Sequence, residues 1–189
     1  ARLGSGSASR SIPDGFVEWN AGTNHDDSFA QSIAAPNHWE LFDLVIVVQS
    51  SEKHKTSGEG HDLAPTSPAF AQRLGNLPKR IDSVREALLN KDLESLGPLI
   101  EHEAMEMHLT TFTAVPPMTY FGPGTIEVIR ELFTLREQGI LGYFTIDAGA
   151  NVHVITTQTY KDLLMTALNQ LSCVENILVN TPALGARVL

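Results

Sequence analysis

Four clusters of carboxylates, histidines, lysines and one arginine along this chain could do chemistry. The stretch Tyr143-Phe144-Thr145-Ile146-Asp147-Ala148-Gly149-Ala150-Asn151-Val152-His153-Val154-Ile155 sets Asp147 at the end of a β-branched and aromatic run. A carboxylate there sits in a partly dry place where its charge acts strongly on a bound group, which suits a general base toward a hydroxyl. The same pattern suits a plain hairpin whose Asp147 caps the turn, with Gly149 allowing a positive φ or close approach and Asn151 bonding its own backbone. Gly4-Ser5-Gly6-Ser7-Ala8-Ser9-Arg10 combines two glycines, three hydroxyls and a guanidinium that can hold a carboxylate or phosphate through two parallel bonds. A Ser/Gly linker has the same composition. Lys53 to His61 offers two lysines, two histidines, Ser57 and two glycines, without the Gly-Lys-Ser/Thr ending of a Walker loop. Lysines there could sit near phosphates, and a solvated surface loop is the plainer reading. In Glu101-His102-Glu103-Ala104-Met105-Glu106-Met107-His108 the two histidines are six apart, on different helix faces, and no His-Glu-x-x-His occurs, so a solvated helix outweighs a zinc site.

The elements that must position these residues follow from periodicity. Ala8 and Arg10 fall on a loop running into a short helix whose amides would face an anion, ended by Pro13-Asp14-Gly15. Phe16 to Trp19 reads as a strand, and residues 20–40 as an irregular polar excursion carrying Asp26, Asp27 and Ser28. Leu41 to Val48 is an apolar run that suits a central strand. Residues 50–68 read as one long polar loop, with Ser67-Pro68 starting a helix whose stripe is Ile81, Val84 and Leu88. Leu93 through Met107 is a second helix, closed by Pro116-Pro117. Thr125 to Glu137 is a third, with Ile126, Ile129, Leu132 and Phe133 inward and Gly139 at its C-cap. The Asp147 hairpin follows, with strands at Tyr143–Ile146 and Val152–Ile155. Next comes a helix with Tyr160, Leu163, Leu164, Ala167, Leu168 and Leu171 on one face. Ile177-Leu178-Val179 reads as a last inner strand, and Arg187-Val188-Leu189 as an edge. This order predicts an α+β fold with helices packed on one face of a largely antiparallel sheet.

Length and composition bound the rest. With 189 residues, 42% hydrophobic, the chain can build one sizeable core or one domain plus part of another. A formal net charge of -9 argues against general nucleic-acid or membrane-surface binding, while leaving room for a small anionic ligand in a local basic pocket. The lone Cys173 cannot form an internal disulfide, which fits a reducing, cytoplasmic setting, and no apolar run is long enough to span a bilayer. The start, Ala1-Arg2-Leu3-Gly4 with no Met and no visible signal peptide, reads as that of a fragment.

Gly4 to Ser11 followed by Gly15-Phe16-Val17-Glu18-Trp19 resembles the substrate loop of the mevalonate diphosphate decarboxylase family, within the galactokinase/homoserine/mevalonate/phosphomevalonate kinase superfamily. Tyr143 to Gly149 with Asn151-Val152 resembles that family's Phe-Thr-x-Asp-Ala-Gly-Pro-Asn signature. Asp27-Ser28, Thr66-Ser67-Pro68, Met107-His108 and Pro116-Pro117-x-Thr119-Tyr120 fall in the family's order, so the resemblance covers nearly the whole chain. It implies ATP- and Mg2+-dependent decarboxylation of mevalonate 5-diphosphate to isopentenyl diphosphate, by a homodimer in isoprenoid biosynthesis. Catalytic roles would fall to Asp147, acting on the C3 hydroxyl, and Arg10, gripping the C1 carboxylate. Ser5, Gly6, Ser7, Ser57 and Ala148 would join Arg10 in lining the substrate. Residues 1–48 would be a remnant of an N-terminal domain, and 49–189 the C-terminal α+β domain. The family's Lys/Tyr/Trp segment and Ser-rich ATP loop have no counterpart in this sequence, so the resemblance implies little turnover from this polypeptide alone. Ala150 replaces the family's Pro. Gly58 stands where many relatives carry Arg, and His61 where they carry Met. A mevalonate 5-phosphate decarboxylase or a mevalonate 3-kinase accommodates those departures, and a non-catalytic binding module can share the fold.

Overall fold

The computed structural model describes residues 6–48 and 56–187. They form an α+β protein with a two-stranded and a four-stranded sheet and five α-helices. Backbone packing divides the chain into two units, residues 42–180 and residues 1–41 with 181–189.

The larger unit is built on a sheet of order β4-β5-β3-β6. Its middle holds β3 (Leu41–Val47) and β5 (Val152–Thr157), and its outer strands are β4 (Tyr143–Thr145) and β6 (Asn176–Asn180). Strand alternation sets the core: Phe42, Leu44 and Ile46 of β3 and Val152 and Val154 of β5 are buried on one face. Helices α4 (Pro123–Glu137) and α5 (Gln158–Leu168) bring Val128, Ile129, Leu132, Leu135, Leu164 and Leu168 into the same cluster. Pro123 opens α4 at a position where its missing amide costs nothing.

Three expectations about these faces are corrected. In α4, Ile126 and Phe133 are exposed, because the inner stripe is Thr125, Val128, Ile129, Leu132 and Leu135. In α5, Leu163 points out. β6 is not an inner strand: among the described residues it pairs only with β3, antiparallel, and its Leu178 and Val179 are exposed. β3, expected at the end of the N-terminal segment, is hydrogen-bonded into this sheet.

Residues 56–68 are not one loop. Helix α1 (Ser57–Leu63) occupies half of them, started by a reciprocal cap in which the Glu59 amide donates to Thr56 Oγ1 (3.2 Å) and the Thr56 amide to Glu59 Oε2 (2.6 Å). Helix α2 (Phe70–Leu89) follows, after Ser67 Oγ accepts the Ala69 amide. Helix α3 (Leu93–Phe112) begins at an Asp92 cap and packs on α2 and β4. At Gly97 any β-carbon would lie 2.1 Å from the ring of buried Tyr143, so only glycine lets α3 approach β4 this closely. Glu101 of α3 then accepts the outward Phe144 amide of β4 (3.0 Å) and pairs with Arg136 of α4 (2.5 Å), tying three elements at one carboxylate.

In the smaller unit, β1 (Phe16–Trp19) pairs antiparallel with β2 (Ala30–Ala34), a strand inside the stretch expected to be irregular. The tail folds against the 12–15 turn: the Gly15 amide donates to Ala183 O, the Ala186 amide to Ile12 O, and Arg187 Nη2 to both Asp14 oxygens at 2.7 Å. The edge strand expected at Arg187-Val188-Leu189 extends outside the described residues.

Candidate active site

The Asp147 elbow joins β4 to β5, which pair antiparallel with Phe144 opposite Val154. Its backbone is held from four directions. The Ile146 carbonyl accepts from His108 Nε2 of α3 (3.2 Å). The Asp147 carbonyl accepts the Gly149 amide (2.8 Å). The Ala150 carbonyl accepts from Thr125 Oγ1 (2.6 Å), itself an acceptor for the Gly122 amide at the start of α4. Asn151 Oδ1 accepts the Val48 amide (3.0 Å), so this side chain clamps the end of β3 to the elbow, where a bond to its own turn was expected. Gly149 is buried and is not among the positive-φ glycines, which are Gly15, Gly22 and Gly139. The Asp147 side chain takes no part in this bracing. It is exposed and makes no hydrogen bond within the described residues, a carboxylate presented by a rigid backbone.

Beside the elbow lies a cavity of about 330 Å3. Its wall joins Ala148 to Ser57, Gly60 and His61 of α1, Arg73 of α2, Thr110 and Thr111 of α3, and Tyr120. Two residues that the sequence singles out separately, Ser57 and Ala148, thus face one space. Tyr120 braces this wall by donating to Thr56 O (2.8 Å), and Gly60 is required beneath it, since a β-carbon would meet the Tyr120 hydroxyl at 2.4 Å. Burial and the nearby Glu59 charge push the Tyr120 hydroxyl above its ordinary pKa, so it stays a donor at neutral pH.

The second expected group lies in the smaller unit. A 3-10 turn, Ser7–Ser11, follows Gly6. Ser9 is buried and folds back, its Oγ donating to Gly6 O (2.7 Å). Gly6 is covered by the Trp19 ring, which a β-carbon would approach to 2.8 Å, so this glycine serves close packing within its own unit. Ser7 and Arg10 are exposed on the turn. Ser5, Lys53, His54 and Lys55 lie outside the described residues. Asp27 binds the Thr23 and Asn24 amides and the Thr23 hydroxyl, which hold its carboxyl down to about 2, and Ser28 accepts from Trp19 Nε1.

The Glu101–His108 cluster is occupied structurally. Glu103 pairs with Arg73 and, at 2.5 Å, with Arg80. Arg80 also holds Glu106 (2.7 Å), which meets His102 (3.2 Å). His153 of β5 is held by Asp43 of β3 at 3.0 Å, which raises its pKa.

His108 belongs to the Glu101–His108 cluster by sequence, but its place at the elbow depends on contacts across the fold. It is 1% exposed, lies 4.3 Å from the Phe121 ring centroid, and keeps Nδ1 without a partner. Burial lowers its pKa, against the opposing pulls of the Ile146 carbonyl and the Asp147 charge. A histidine with a depressed folded pKa stabilises the fold above its unfolded value of about 6.5 and loses that contribution as pH falls through the folded value. Tyr120, which stays neutral, and Asp147 are the titratable groups facing it. The urea midpoint of the wild-type chain therefore falls more between pH 7 and 5 than that of His108→Gln.

Comparison with known proteins places the chain in a family. Residues 43–183 fit the family described as mevalonate 5-diphosphate decarboxylase C-terminal domain, and residues 1–30 the diphosphomevalonate decarboxylase-like N-terminal domain. The chain is 33% identical over 174 residues to a diphosphomevalonate decarboxylase of Candida albicans, covering 89% of this chain and 48% of that protein. It is 31% identical over 169 residues to a phosphomevalonate decarboxylase of Haloferax volcanii, covering 89% and 51%. A solved structure described as MDDEF in complex with MVAPP, AMPPCP and magnesium superposes with a TM-score of 0.90 at 39% identity, covering 97% of this chain and 57% of that one. The chain spans about half the length of the curated relatives it matches. With well over half of its residues matched by the C-terminal family model, the chain belongs to the mevalonate 5-diphosphate decarboxylase family.

Proposed function

We propose that the protein carrying this chain decarboxylates mevalonate 5-diphosphate with ATP and Mg2+, giving isopentenyl diphosphate. The observation that carries this reading is the cavity in which Ser57 and Ala148 meet beside the exposed Asp147 carboxylate. Asp147 takes the proton of the tertiary C3 hydroxyl as that oxygen accepts the γ-phosphoryl group. The C3–O bond then breaks with loss of phosphate. The electron pair of the C1–C2 bond becomes the new double bond as carbon dioxide departs. The same reading assigns the C1 carboxylate to Arg10, substrate binding to Ser5, Gly6 and Ser7, and the phosphates to Ser57. Mg2+ would screen the nucleotide phosphates when bound. Among the described residues no group of three His, Cys, Asp or Glu side chains could hold a metal. The same reading makes the protein a cytoplasmic homodimer, with no nucleic-acid or membrane partner.

A second reading has a specific basis. Gly58 supplies no cation beside Ser57, and His61 lines the cavity, a combination that suits a 5-monophosphate. ADP release measured with each substrate separates the two. A higher kcat/KM for the diphosphate supports the first reading, a higher value for the monophosphate replaces it with the second, and no ADP from either overturns both.

A further inference from the structure

His108 is an unusual occupant of its site. It sits near the end of α3 against Phe121 and Tyr120, 1% exposed, where an apolar ring would pack without leaving a nitrogen unpaired. Its Nδ1 is buried with no partner, an arrangement that disfavours an imidazole unless the other nitrogen gives something in return. That nitrogen, Nε2, is 3.2 Å from the Ile146 carbonyl. A carbonyl only accepts, so the ring's single proton is on Nε2 and the imidazole donates. The carbonyl it holds belongs to the peptide whose nitrogen is that of Asp147. No other hydrogen bond to this carbonyl occurs from outside the strands among the described residues, whereas the next carbonyls of the elbow are held by Gly149 and Thr125.

We propose that His108 is a positioning residue for Asp147: its Nε2–H fixes the peptide plane entering the elbow and so the direction in which the exposed carboxylate leaves the backbone. This rests on the reading of Asp147 as the base. Among the described residues the carboxylate makes no hydrogen bond of its own to aim it, so its direction is set through the backbone. Depressed basicity keeps the ring neutral near pH 7, where a buried charge would otherwise load this contact.

Two amide variants test this with little change in polarity. In His108→Gln the side-chain nitrogen reaches about as far as Nε2, while in His108→Asn it stops near Nδ1, short of Ile146. In the protein carrying this chain, His108→Asn should lower kcat about 10- to 100-fold with KM changed less than about threefold, and His108→Gln should stay within about fivefold of wild type. In the chain itself, without substrate, the Ile146 carbonyl 13C shift should move in His108→Asn and stay in His108→Gln. Equal kcat losses in both variants, or wild-type kcat in both, overturn the proposal. So does an unmoved Ile146 shift in His108→Asn. If Asp147 proves dispensable the kinetic arm fails with that reading, but the carbonyl shift still reports whether His108 holds the elbow.

Discussion

Asp147→Asn in the protein that carries this chain lowers kcat for ADP release by about 10^2- to 10^4-fold, the range that loss of a positioned general base produces. Melting temperature hardly moves. The reason is the separation of duties in the elbow. Among the described residues the bonds that hold its shape come from the backbone and from His108, Thr125 and Asn151, and none from the Asp147 carboxylate. Removing an exposed charge that supports nothing leaves stability within about 0.5 kcal/mol. Binding of substrate, read by calorimetry, should be retained within a few-fold, since the proposed function assigns its carboxylate and phosphates to Arg10 and Ser57. A variant as active as wild type would end the base assignment, and one that melts much earlier would mean that Asp147 is a turn cap after all.

Glu101→Ala destabilises the chain by about 3–5 kcal/mol, the cost of leaving one member of a mostly buried ion pair alone. The loss has two parts. Arg136, 19% exposed at its side chain, is left with a desolvated guanidinium between the Phe133 and Tyr143 rings and only the Gly142 carbonyl (3.3 Å) as acceptor. The Phe144 amide loses its acceptor as well. Adding Arg136→Leu recovers a large part of the loss, since an apolar side chain fits between those rings without a charge to satisfy. Urea midpoints of the two single variants and the double variant give the coupling. Strictly additive losses would show that the pair contributes nothing as a pair.

Much of this architecture is legible from residue order because the apolar period there is unambiguous. The β3 run, buried at Phe42, Leu44 and Ile46, has one apolar solution. Where apolar residues occupy both faces, the period misleads: α4 carries Ile126 and Phe133 outside as well as Ile129 and Leu132 inside. Helix α1 is hidden because Ser57-Gly58-Glu59-Gly60-His61 has no apolar period at all. Its signal is the Thr-x-x-Glu spacing at Thr56 and Glu59, a capping signature that sets the helix start despite two glycines, one of which, Gly60, lies under Tyr120. β2 is hidden for a related reason, its Gln31 and Ser32 being exposed on a two-stranded ribbon. At the site, Ser57 and Asp147 can be named from motifs. His108 and Thr125 act across 38 and 25 residues of sequence, and only folding brings them to the elbow.

Glu101 also governs how copies of this chain can stick to one another. A foreign strand joins a sheet by bonding to the amides along its border, and it needs those amides unoccupied. On the β4 side the Phe144 amide is already taken, and an incoming carbonyl would meet a carboxylate there. On the opposite border Asn176-Ile177-Leu178-Val179-Asn180 is uncharged, displays Leu178 and Val179 to solvent, and has its Ile177 amide taken by Asn176 Oδ1 (2.9 Å). Self-templated growth of this sheet, the first step toward fibres, is therefore sealed by charge on the β4 side. The seal is the same carboxylate that neutralises Arg136.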